Sequence, residues 1–108
     1  MSFDKAQAIA IVNNIIDGDK PIKVDQQKLS DALDELFAKQ QVKVTIDDVE
    51  FDKTVMGIDY HIYGGVEDHN SDLDEKVIAI YLISGFVDKN GDFHEDAGHP
   101  SARVPVLA

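Results

Sequence analysis

Cysteine is absent from this chain. That excludes a disulfide scaffold, a thiolate metal site and a redox-active thiol, and it fits a reducing cytoplasm. No stretch approaches the ~18 apolar residues of a membrane span. The opening MSFDKAQAIAIVNNIIDG carries acids at Asp4 and Asp17 and breaks its apolar run at Asn13 and Asn14, unlike a basic-then-apolar export signal. A soluble, cytoplasmic protein is expected.

Motifs that carry chemistry are also sparse. Ser84, in LISGF, lacks the flanking glycines of a nucleophile elbow. Gly64-Gly65 leads into acids rather than into Lys and Ser or Thr, so no phosphate-cradling loop is formed. Basic residues interleaved with aromatics, the pattern of nucleic-acid surfaces, are missing. Arg103 is the single arginine, against nine lysines. No cofactor is expected, and the balance favours a non-enzymatic role.

What is present is acid. Against 10 Lys and Arg stand 21 Asp and Glu, for a formal net charge of −11. Such a surface repels phosphate, which disfavours nucleic acid and anionic membranes and favours a basic protein partner. Sixteen of the acids are Asp, a turn and cap residue, so part of the excess reflects turns. With 108 residues, 44% of them hydrophobic, the chain is the size of one domain, 1–108, and can bury roughly two thirds of its unfolded surface.

Periodicity then gives the elements. Ser2 is placed to cap a helix over about 2–17, whose Ala8, Ile9, Ile11, Val12, Ile15 and Ile16 recur at helical spacing, with Gly18 as its stop. Asp25 caps a second helix over about 26–40, with a stripe of Leu29, Ala32, Leu33, Leu36 and Phe37 and a Glu35–Lys39 pair. The period changes to two at Val42, Val44 and Ile46. It resumes out of phase at Val49 and Phe51, so Asp47-Asp48 is a hairpin turn or a bulge. Ile58, Tyr60 and Ile62 then alternate with Asp59, His61 and Tyr63. The run from Lys76 to Val87 is apolar at almost every position and reads as a central strand buried on both faces. The expected architecture is α+β: two N-terminal helices packed on one face of a mostly antiparallel four- to five-stranded sheet over about 42–96, with an extended tail over 97–108. A face left partly apolar would suit a homodimer.

FVDKNGDFHED (residues 86–96) raises a metal question. Asp88, Asn90 and Asp92 match the first three ligand positions of a calcium loop, but the sixth position is Phe93 rather than Gly and the twelfth is His99 rather than Glu. A two-residue hairpin centred on Asn90-Gly91, with Lys89 facing Asp92, explains the same residues more simply. HEDAGH puts His94 and His99 five apart with Gly98 between and Pro100 after, which defeats the helical zinc pattern. It leaves His94, Glu95, Asp96 and His99 as weak surface ligands.

Two surfaces are candidates for binding. Asp59, His61 and Tyr63 share one strand face, where an Asp–His pair could tune a general base and Tyr could donate a proton, or where all three could simply be a solvated polar face. The 66–75 loop gathers Glu67, Asp68, Asp72, Asp74 and Glu75 around His69 without a Lys or Arg, and Asp47, Asp48 and Asp52 form a second acidic group. Immunity proteins, inhibitors that imitate nucleic acid, and phage or mobile-element accessory proteins share this profile of size and charge, without a shared motif. The expected role is that of a small acidic binding protein of bacterial or phage kind. A small-ligand site at Asp59, His61 and Tyr63 and an oligomeric assembly role stand as alternatives.

Overall fold

A computed structural model describes residues 3–40, 42–66, 68–95 and 100–107. Ser2 as a helix cap, Glu67 as a loop acid, and Asp96 and His99 as ligands lie outside those residues. The fold is α+β with an antiparallel sheet. Its elements in chain order are α1 (Lys5–Asn13), β1 (Ile16–Asp17), β2 (Lys20–Pro21), α2 (Gln26–Lys39), β3 (Lys43–Ile46), β4 (Val49–Gly64), β5 (Lys76–Val87), β6 (Phe93–Glu95) and β7 (Ser101–Pro105).

The first helix is shorter than its apolar period suggests. Asp4 is its N-cap: the Asp4 carboxylate accepts from Gln7 N at 2.9 Å while Gln7 Oε1 accepts from Asp4 N at 2.8 Å, a reciprocal capping box. At the other end the Asn14 side-chain amide donates to the Ala10 carbonyl at 2.6 Å, a competing bond that helps end the helix. Ile16, on the expected stripe, is instead an exposed residue of the β1–β2 hairpin. Gly18 is no helix stop. It takes φ +70° in the turn of that hairpin.

The second helix matches its sequence pattern. Asp25 Oδ1 accepts from Gln27 N and Lys28 N at 2.9 and 3.0 Å, satisfying amides that have no partner inside the helix. Leu29, Leu33 and Leu36 are buried, and Ala32 and Phe37 are half-buried beside them. These leucines join Ala8 and Val12 of α1, Ile78, Ile80 and Leu82 of β5, and Val104 of β7 in one core.

Asp47 and Asp48 form a hairpin turn, closed by the Ile46–Val49 pair, with φ of 51° and 64°. Both central residues at positive φ suit the twist of the two strands, and Asp is among the few side chains that tolerate this region. β4 then runs unbroken for 16 residues. The register slips by one residue at Met56, between Val55 and Gly57. This bulge is why the alternation of Val49 and Phe51 is out of step with that of Ile58 and Tyr60.

β5 is central. β4 pairs along one of its edges, and β6 and β7 pair along the other. Ile78 and Ile80 face the helical core, yet Val77 and Ala79 on the opposite side are also only 8% and 4% exposed. The C-terminal segment is a strand of this sheet rather than a loosely extended tail. Ala102, Val104 and Val106 turn to the core at period two, and Pro100 and Pro105 sit at the strand's ends, where a missing N–H is tolerated.

Candidate functional site

The face of the sheet turned away from the leucine core has a regular plan. Across it, His61 lies opposite Ala79 and Ala79 opposite Arg103, while Tyr63 lies opposite Val77 and Asp59 opposite Tyr81. Ala79 is thus flanked by the long side chains of His61 and Arg103, and Val77 by Tyr63 and Pro105. The His61 and Tyr63 rings stack at 5.5 Å with an 18° interplanar angle. Arg103 Cζ lies 5.7 Å from the centre of the Tyr63 ring, within cation–π range.

The acidic loop folds back onto this row. Gly64 and Gly65 take φ of +88° and +90°, a conformation that turns the chain sharply out of β4. Asp68 then organises the loop. Its carboxylate accepts from Gly64 N at 2.7 Å and from Asn70 N at 3.0 Å. Those two N–H groups, Gly64 first, hold the Asp68 carboxyl below its usual range. Burial opposes them, and the nearby positive charge of His61 and His69 adds to them. Asp68 therefore stays charged into acid.

The result is an open recess of about 700 Å³ lined by His61, Tyr63, Asp68, Lys76, Tyr81 and Asp17, among others. Lys76 and Asp17 pair at 2.6 Å and tie the β1–β2 hairpin to the start of β5 at its rim. Two groups that the sequence places apart, the strand row and the acidic loop, meet here. Asp59 does not join them. Its carboxylate accepts from Tyr60 N at 2.8 Å, and it lines a smaller recess of about 250 Å³ with Tyr81 and Glu95. The Asp59–His61 pair of a general-base site is not formed among the described residues.

The two acidic groups do not make one surface. Asp72, Asp74 and Glu75 are exposed in the loop beyond the end of β4, whereas Asp47, Asp48 and Asp52 lie at its beginning. A strand of this length spans roughly 50 Å, the full 49 Å extent of the molecule. Asp52 also lies 4.0 Å from Lys43, which pairs with Glu50 at 2.9 Å.

In the β5–β6 loop, Asp88 N donates to Asp92 O at 2.9 Å and Gly91 N to Asp88 O at 3.1 Å, with Gly91 at φ +83°. The connection is therefore a three-residue loop of Lys89, Asn90 and Gly91, not a two-residue turn, and Asp88 rather than Lys89 stands opposite Asp92. Asp88 Oδ1 accepts from Asn90 N and Asp92 N at 2.8 and 3.0 Å, and Oδ2 lies 2.7 Å from His94 Nε2. Loop closure thus engages both carboxylate oxygens of Asp88. His94 in turn stacks on Phe86 at 4.9 Å, and Phe86 packs on Phe51. No cluster of three or more metal-ligating side chains occurs among the described residues.

The His94 hydrogen bond, and then the Asp92 and Asn90 amides, lower the Asp88 carboxyl below its usual range. A lowered folded pKa gives stability that is complete above the unfolded value of about 4 and is lost as pH falls through the folded one. Amide exchange should therefore show Asn90 and Asp92 still protected at pH 4, with protection lost only in stronger acid. Asp88→Ala should remove that protection at every pH. A midpoint at the ordinary aspartate value would contradict this assignment.

Tyr81, Lys76 and Asp17 carry no motif: strand pairing brings Tyr81 and Lys76 to the recess, and Asp17 reaches it through its ion pair with Lys76. No described helix is long and apolar enough to cross a membrane. Comparison with protein-family models, with curated proteins and with solved structures gives no match.

Proposed function

We propose that this chain is a small, non-enzymatic binding protein that docks a basic protein through the end bearing the 66–75 loop. Both helices lie on the Ile78–Leu82 side of the sheet in this reading, and the His61–Tyr63–Arg103 side is left for contact. The observation that carries it is the position of Asp68. Its carboxylate is fixed and kept charged at a recess walled by Tyr63 and Tyr81. A lysine or arginine of the partner would meet a carboxylate and aromatic faces there, the two surfaces that hold a cation best. Asp72, Asp74 and Glu75 around it would steer the approach, with −11 charges behind them. On this proposal the chain would act in a cytoplasm, as inhibitor, immunity or phage-accessory types do.

Affinity capture from lysate of the source cells tests this. The native chain should retain a basic protein at low salt and release it at high salt. The charge reversals Asp72→Lys and Asp74→Lys together should abolish retention, whereas reversal of Asp47 and Asp48 should leave it intact. Equal retention by all three proteins would refute the docking end.

The recess volume supports a second reading, since about 700 Å³ lies within the range of small-molecule sites. A neutral ligand stacked on His61 and Tyr63 would bind with little salt dependence and would be lost in His61→Ala.

A further inference from the structure

β4 leaves a short stretch of its outer edge unpaired. Gly64 N donates to Asp68 and Tyr60 N to the Asp59 side chain, so the even-numbered residues after the bulge turn their backbone groups away from β5. By alternation the N–H and C=O of Ile58 and Ile62 also point outward, and neither N–H has a described hydrogen-bond partner. The stretch is bounded at both ends. Phe3 N donates to Val55 O at 3.1 Å on one side, and Asp68 holds Gly64 N on the other. Between those limits Tyr60 is the midpoint. It is 40% exposed.

We propose that this edge pairs with the same edge of a second copy of the chain, antiparallel, about a two-fold axis at Tyr60. That register sets Ile58 beside Ile62 of the second copy, Asp59 beside its His61, and Tyr60 beside its Tyr60. Each is a favourable cross-strand pair. Neighbouring registers are worse. A shift one way sets Asp59 against Asp59 of the second copy, with like charges opposed. A shift the other way calls on Gly64 N–H, which Asp68 already holds. Pairing also releases Asp59, because Tyr60 N–H then bonds across the axis and the carboxylate is free to meet His61 of the other copy. An unpaired edge is a template for such addition unless it is blocked, and among the described residues only the Tyr60 and Gly64 amides of this stretch are occupied. The contact is an edge and not a sheet face, and it does not depend on the basic-partner reading.

Salt separates the two. Two chains of charge −11 repel, so the dimer tightens as salt rises, whereas a basic partner is released. Sedimentation of the native chain from micromolar to millimolar concentration should show a monomer–dimer equilibrium that shifts to dimer in high salt. Tyr60→Pro should abolish the dimer while leaving the monomer folded, because the amide it removes faces away from β5. The absence of cysteine gives a register test that does not depend on proline. Tyr60→Cys should oxidise to a covalent dimer, since residues facing each other across an antiparallel pair lie about 5.5 Å apart, within disulfide reach. Ile58→Cys alone and Ile62→Cys alone should not, and a mixture of the two should. A native chain that stays monomeric, or a dimer that survives Tyr60→Pro, would overturn the proposal. So would a monomer whose Ile58 and Ile62 amides are protected only on adding a lysine-rich peptide, which would assign the edge to a foreign strand.

Discussion

Leu33→Ala is expected to destabilise the fold by about 2–5 kcal/mol, read as a lower urea midpoint with an unchanged slope. Leu33 is completely buried at the middle of the α2 stripe, in the core it shares with Ile78, Ile80 and Val104. Truncation removes its apolar burial and leaves a void that helix and strand can close only in part. Domains of this size hold about 5–15 kcal/mol in all, so this one change consumes much of the margin. Val42→Ala is the control. Val42 lies 74% exposed at the start of the β3–β4 hairpin, and surface changes of this kind stay within about 0.5 kcal/mol. Equal midpoints for the two variants would mean that the leucine stripe does not face the sheet.

Gly64→Ala should have a comparable effect on stability and a larger one on the recess. At φ +88° an alanine is strained, and its Cβ would run into the Glu75 carbonyl oxygen and lie 3.3 Å from Leu73 Cβ. The strain alone is worth about 1–3 kcal/mol, and backbone in the way adds to it. Gly64 also supplies the N–H that fixes Asp68. The variant should therefore lose amide protection at Gly64 and Asn70 together. Gly91→Ala separates the two causes. Its φ is +83°, yet nothing lies within 4 Å of the added carbon, so it should show the strain and no more. If Gly64→Ala were no worse than Gly91→Ala, the loop would not be packed against the strand end as described.

Those residues also mark how far the sequence could be read. The α2 helix was legible because its cap, its stripe and its ion pair agree. β5 was legible because an apolar run with β-branched residues has few other homes. The end of α1 was not, since Ile15 and Ile16 continue a helical period that the Asn14 side chain and the Gly18 turn override. The unity of β4 was hidden by one extra residue at Met56, which makes a single strand look like two. β7 was hidden by its two prolines, which read as a tail when they only bound the strand.

The site divides in the same way. His61 and Tyr63 were legible as a row because period two fixes their common side. The arrival of Asp68 beside them was not, because it depends on two glycines at positive φ and on a hydrogen bond across the loop. The separation of the two acidic groups was equally hidden, since it comes from β4 being one continuous strand. The hairpin at Asn90-Gly91 was legible from its turn residues, whereas the capping of the loop by the Asp88 carboxylate, which accepts from Asn90 N and Asp92 N, was not.

The most direct measurement is an amide chemical-shift map of the ¹⁵N-labelled chain titrated with a short peptide rich in lysine and arginine. The basic-partner reading predicts shifts concentrated at Tyr63, Gly64 and residues 68–76, fading as salt is added and absent in the Asp72→Lys, Asp74→Lys variant. Shifts spread evenly over all acidic surfaces, with Asp47, Asp48 and Asp52 responding as strongly as the loop, would contradict it and leave only non-specific charge.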